Sequence, residues 1–89
     1  MLARTQLNNT TTNVYTCPSG KKAYIFVDVA SNDGSQVNMM VSIGDGSTFY
    51  TYWTGATNFL SVKLVLDSGD VVRVGTNGVV NVFVYGIVR

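Results

Sequence analysis

The sequence predicts an all-β fold: a single antiparallel β-sandwich or jelly-roll-like domain of about seven or eight short strands, preceded by an extended N-terminal arm. Three observations predict it. Fifteen valines and ten threonines stand among 89 residues, and β-branched side chains fit a pleated, half-buried surface. Turn residues (Gly, Asp, Asn, Ser, Pro) interrupt the chain about every 8–12 residues, the spacing of sandwiches and small barrels. No segment places its apolar residues at helical spacing.

Met1–Thr12 is polar and aperiodic, with Leu2 and Leu7 its only large apolar residues. It reads as an arm, either disordered or laid along a neighbouring subunit, before a sandwich domain spanning residues 13–89. Asn13–Thr16 is the first expected strand, closed by a turn at Pro18-Ser19-Gly20. Lys22–Ala30 alternates fully: Ala23, Ile25, Val27 and Val29 share one face, and Tyr24 and Phe26 the other. After a loop at Ser31–Ser35, Val37–Ile43 sets Val37, Met39, Val41 and Ile43 against Asn38, Met40 and Ser42. Gly44-Asp45-Gly46-Ser47 makes a tight turn, because glycine accepts a positive φ. Thr48–Trp53 is a short aromatic strand, and Thr54–Asn58 reads as a loop. Phe59–Leu66 alternates again, and Asp67-Ser68-Gly69-Asp70 turns the chain into Val71–Gly75. Thr76-Asn77-Gly78 leads to the last strand, Val79–Arg89; Asn-Gly between two valine-rich runs is the strongest hairpin signal in the chain.

Composition excludes several functions. Charged residues make up 12% of the chain, against about 25% in ordinary domains. Its six basic residues are scattered and the net charge is +1, so no basic stripe suits nucleic acid. No run is long enough for a membrane helix, and Met1–Thr12 lacks the apolar core of a signal peptide. Synthesis in a reducing, cytoplasmic compartment, with no membrane partner, is therefore expected. Cys17 is the only cysteine, which rules out an internal disulfide and suits a small buried hydrophobe. With no histidine and no glutamate, the usual general bases and metal ligands are scarce. Four of the five aspartates sit in expected turns, where they bond nearby backbone. No enzyme, metal site or cofactor is expected.

The strands are instead apolar on both faces. Val80, Val82, Val84 and Val88 share one side of the last strand, while Val79, Phe83, Tyr85 and Ile87 occupy the other. Tyr24, Phe26, Phe83 and Tyr85 together offer on the order of 600–1,000 Å² of aromatic surface, whereas monomers seldom expose apolar patches above about 300–600 Å². Either both faces lie inside the sandwich, or the second face is covered by another copy of the chain. The second reading makes Tyr24, Phe26, Phe83 and Tyr85 subunit-interface residues, joined by Tyr50 and Tyr52 from the aromatic strand. A carbohydrate contact through Trp53 and Asn58 competes with it, since sugars offer apolar faces and polar edges.

Two segments carry a resemblance. Tyr15-Thr16-Cys17-Pro18-Ser19-Gly20-Lys21-Lys22-Ala23-Tyr24-Ile25 resembles the opening of a small β-sandwich module of tailed-phage virion proteins, in which Thr-x-x-Pro-x-Gly-Lys-x-Ala enters the first long strand. Leu66-Asp67-Ser68-Gly69-Asp70-Val71-Val72-Arg73-Val74 resembles that module's later Leu-x-x-Gly-Asp-x-Val-x-Val hairpin. The resemblance spans residues 13–89 and departs from the module in the long arm and in Cys17. It implies a virion component, most like a capsid decoration (cement) protein, or else a tail, neck or fibre component. The expected partners are further copies of the chain, as a dimer or trimer, and a major capsid protein. Leu2, Arg4 and Leu7 are the expected capsid contacts.

Overall fold

A computed structural model describes all residues, Met1–Arg89. Eight strands and no helix form two antiparallel sheets: β1 (Ala3–Asn8), β2 (Thr11–Thr16), β3 (Ala23–Ser31), β4 (Val37–Gly44), β5 (Phe49–Thr57), β6 (Phe59–Leu66), β7 (Val71–Thr76) and β8 (Val79–Val88). One sheet has the order β1-β8-β3-β6, the other β2-β7-β4-β5. The pairing is nested: β1 with β8, β2 with β7, β3 with β6, β4 with β5. The chain is thus one long ribbon of strand pairs, and the contacts β3–β8 and β4–β7 stitch the rolled ribbon into two layers.

Between the layers lies a core of aliphatic side chains from both sheets, including Ile25, Val27, Val29, Met39, Val41, Val72, Val74, Val80, Val82 and Val84. Two-residue alternation builds it directly. In β3 the buried residues are Ala23, Ile25, Val27 and Val29, and in β6 they are Leu60, Val62, Leu64 and Leu66. Cys17 is buried too, its Sγ directed at the Lys21 carbonyl 3.4 Å away.

Three expectations are corrected. Met1–Thr12 is not an arm: Ala3–Asn8 pairs with β8 from Ala3↔Val84 to Asn8↔Val79, and the Leu2 amide donates to the Val84 carbonyl. Leu7, 4% exposed, belongs to the core. An edge strand touches one neighbour only and needs few apolar residues, which is why its sequence looks like a tail. The second correction is that Asn77-Gly78 makes no hairpin, because β7 and β8 lie in different sheets. Asn77 instead ties β7 to β4, its Oδ1 accepting from the Asn38 amide at 2.9 Å. Likewise Asp67–Asp70 carries the chain from β6 to β7 across the sandwich, with Asp70 accepting from the Asp67 amide and Asp67 paired with Lys22 at 3.3 Å. The β4–β5 connection is the one true hairpin. There Gly46 has φ +98°, and Asp45 accepts from the Ser47 and Thr48 amides. Those amide bonds hold the Asp45 carboxyl below the usual carboxylate range.

Third, Thr54–Asn58 is not a loop. Strand β5 continues to Thr57 as the edge of its sheet, across a bulge at which Tyr52 has no partner between Val41↔Trp53 and Ser42↔Thr51. The bulge explains the misreading, since it breaks the two-residue alternation.

Candidate subunit-contact surface

The residues of β3, β6 and β8 that alternate with the core all emerge on the outer face of one sheet. The register sets them in rows: Ile87 and Tyr24 beside Val65, Tyr85 and Phe26 beside Lys63, and Phe83 and Asp28 beside Ser61. Tyr24, Phe26 and Phe83 are 45%, 41% and 36% exposed, and Val65 and Ile87 more than half. The outer face is therefore open, and the reading in which both faces are internal is excluded.

Packing and hydrogen bonds hold the rings in place. Phe26 and Tyr85 stack with centroids 5.4 Å apart and planes inclined by 20°, an offset arrangement that aromatic pairs favour. The Tyr85 hydroxyl donates to Asp28 Oδ2 at 3.0 Å, and Ser61 Oγ donates to Asp28 Oδ1 at 2.6 Å. The bond to Asp28 raises the Tyr85 pKa above its ordinary value, because loss of the phenolic proton would break it, and desolvation adds to the effect. One acidic group is thereby absorbed into the aromatic surface. At the far end of the face, Gln6 Nε2 donates to Asn81 Oδ1 at 2.9 Å and to Asn32 Oδ1, and Asn81 Nδ2 donates to the same Asn32 oxygen. The face is thus apolar at one end and amide-bonded at the other.

The apolar end contains a depression of about 350 Å³, lined by Tyr24, Phe26, Lys63, Val65, Tyr85 and Ile87 among others, including Gly86. Gly86 has φ +144°, and a Cβ there would collide with the Tyr24 carbonyl oxygen. Only glycine lets β8 lie this close to β3. Gly86 carries no signal in the two-residue pattern of the last strand, and sequence reasoning therefore misses it. Lys63 and Val65 were also missed as lining residues, although the alternation of Phe59–Leu66 already put them on the face opposite Leu64 and Leu66.

Other expected site residues fall elsewhere. Tyr50 and Tyr52 do not join the Tyr24 surface, because β5 belongs to the opposite sheet; they stand 72% and 55% exposed at its edge. Trp53 is half-buried and packs against the core, with its ring alongside Gly55. Asn58 is exposed in the one-residue link between β5 and β6. Of the expected capsid contacts, Leu7 is enclosed in the core, while Leu2 and Arg4 lie exposed at and just before β1, with Arg4 opposite Phe83. On the outer face of the second sheet, Arg73 stacks over the Phe49 ring at 3.7 Å and donates from Nε to Asn13 Oδ1 at 3.1 Å.

No protein-family model matches the chain, and no curated protein does. Among the solved structures that share its fold are two crystal structures of a pentameric capsid protein isolated from metagenomic phage sequences. The first superposes with a TM-score of 0.56 at 14% identity, over 99% of this chain and 64% of that one. The second has a TM-score of 0.50 at 17% identity, over 100% of this chain and 62% of that one. At such identities the likeness is one of fold, and this chain spans under two thirds of either neighbour's length.

Proposed function

We propose that this chain is a structural protein of a phage virion, a capsid decoration protein whose copies associate with one another and bind across the seams between major-capsid subunits. The single observation that carries this reading is the open aromatic face of the β1-β8-β3-β6 sheet, built on strands whose other face is the core. Burial of apolar area is the largest favourable term in association, and a surface with little charge loses little on desolvation. Such a subunit binds by area rather than by chemistry: each copy that covers its own rings on a neighbour raises the work needed to part the shell.

The fold supports the same reading. The order β1-β8-β3-β6 over β2-β7-β4-β5 is that of an eight-stranded jelly roll, an architecture frequent in viral capsids. The two structural neighbours described above are capsid proteins from phage sequences. Leu2 and Arg4 on the open edge at β1 are the groups left to touch a capsid subunit.

Quantitative mass spectrometry of purified particles carrying this chain tests the proposal. Hundreds of copies per particle, lost together with shell stability when Phe83→Ala is introduced, are expected of a decoration protein. A few copies confined to the tail, or none in the particle, would overturn it.

A further inference from the structure

We infer that copies of this chain join head to tail: the Tyr50–Tyr52 segment at the edge of one copy seats in the Tyr24–Phe26–Ile87 depression of the next. This rests on the reading that the chain associates with itself, and it specifies which two surfaces meet.

The structure divides the exposed aromatic residues into two patches on opposite sheets. One comprises Tyr24, Phe26 and Phe83 with Val65 and Ile87, and Phe59 at the other end of β6; the other is β5, with Tyr50 and Tyr52. No residue of β5 lines the depression at the first patch. At about 150–250 Å² per aromatic side chain, the exposed fractions of Tyr50 and Tyr52 leave on the order of 200–300 Å² in water. Tyr24, Phe26 and Phe83, the rings at and beside the depression, leave a similar area by the same measure, and Phe59 at the other end of β6 adds on the order of 100 Å². A symmetric contact of either patch with itself would leave the other uncovered on every copy. A single contact between unlike patches covers both.

Shape and charge favour the same pairing. Tyr50 carries the most exposed ring in the chain, and the depression of about 350 Å³ is large enough for a phenol ring. Lys63 lines the depression and has no acidic partner within ion-pair distance. Face-to-face pairing would bring this cation toward its own copy. Strand β5 brings no charged residue in Phe49–Thr57, and the hairpin that leads into it presents the exposed carboxylate of Asp45. Like-to-unlike contacts repeat around a ring or along a filament. A ring with an odd number of subunits, such as the pentamers of the two structural neighbours, cannot be closed by symmetric contacts alone.

Sedimentation velocity on two double variants tests this, after circular dichroism and thermal melting have established that each folds. Tyr50→Ser with Tyr52→Ser removes the tail, and Tyr24→Ser with Ile87→Ser removes the head. Each variant alone is expected to sediment as a monomer. An equimolar mixture is expected to form a 1:1 dimer and nothing larger, since one intact contact remains and cannot propagate. If the Tyr50/Tyr52 variant keeps the wild-type oligomer, or the mixture forms no dimer, the head-to-tail contact is overturned while self-association stands. A monomeric wild type would overturn self-association itself. Should a double variant misfold, oxidation of mixed Tyr50→Cys and Ile87→Cys chains gives a second reading. A cross-linked heterodimer that neither chain forms alone is expected; its absence, with the wild type oligomeric, counts against the contact.

Discussion

Removal of Met1–Asn8 is expected to abolish cooperative unfolding at 25 °C, leaving a chain that binds hydrophobic dyes and shows no thermal transition. Strand β1 supplies six register pairs to β8, from Ala3↔Val84 to Asn8↔Val79. Without it, β8 becomes an edge strand whose backbone groups open to water, next to core residues Val80, Val82 and Val84. Leu7 alone is worth about 2–5 kcal/mol, the usual loss when a buried leucine is cut to alanine. A chain this size has a net stability of only about 4–13 kcal/mol, so loss of the whole strand consumes most or all of it. Leu7→Ala is the graded form of the experiment, with the denaturation midpoint shifted to match. If the deletion left the melting temperature unchanged, β1 would be an arm after all, and Leu7 would again be free to contact a capsid subunit.

Gly86→Ala is expected to lower stability by about 3 kcal/mol, the cost of a non-glycine residue forced into a backbone region reserved for glycine with a steric conflict added. In a domain of this length that corresponds to a melting temperature lower by about 12–24 °C. Gly86 lies opposite Ile25 in the β3–β8 pairing, and its φ of +144° carries β8 past the Tyr24 carbonyl. A methyl group there pushes β8 away from β3 and moves Tyr85 and Ile87 with it. The same substitution should therefore weaken association. Gly34 is the control: its φ is +82° but nothing lies within 4 Å of a Cβ there, so Gly34→Ala is expected to cost only about 1 kcal/mol. Equal melting temperatures for the two variants would remove the special role of Gly86.

Much of the fold follows from local pattern. The alternation of Ala23–Val29 and of Leu60–Leu66 is a property of each strand by itself, and these residues are buried as the alternation requires. The Asp45-Gly46 turn is equally local, and the tight turn expected there closes the β4–β5 hairpin. What local pattern does not carry is pairing across the chain. Asn77-Gly78 has hairpin chemistry, yet nested pairing sends β7 and β8 to different sheets, because β8 is taken up between β1 and β3. Tyr50 and Tyr52 look like members of the Tyr24 surface for the same reason: their strand type is visible, but their sheet depends on partners tens of residues away. Strand β1 is hidden because an edge strand buries little, and only Leu7 among its six residues is fully enclosed. The aromatic outer face is the part of the candidate site most legible in sequence. Tyr24, Phe26, Phe83 and Tyr85 share it as their odd-even spacing dictates.

Light scattering of the purified wild-type chain, from micromolar to millimolar concentration, measures most directly whether that open aromatic face seeks a second subunit. A discrete oligomer that persists to low micromolar concentration and dissociates when Phe26 is changed to serine is the expected result. A monomer throughout the range, with the Tyr24 and Phe26 rings still in contact with solvent, would contradict it.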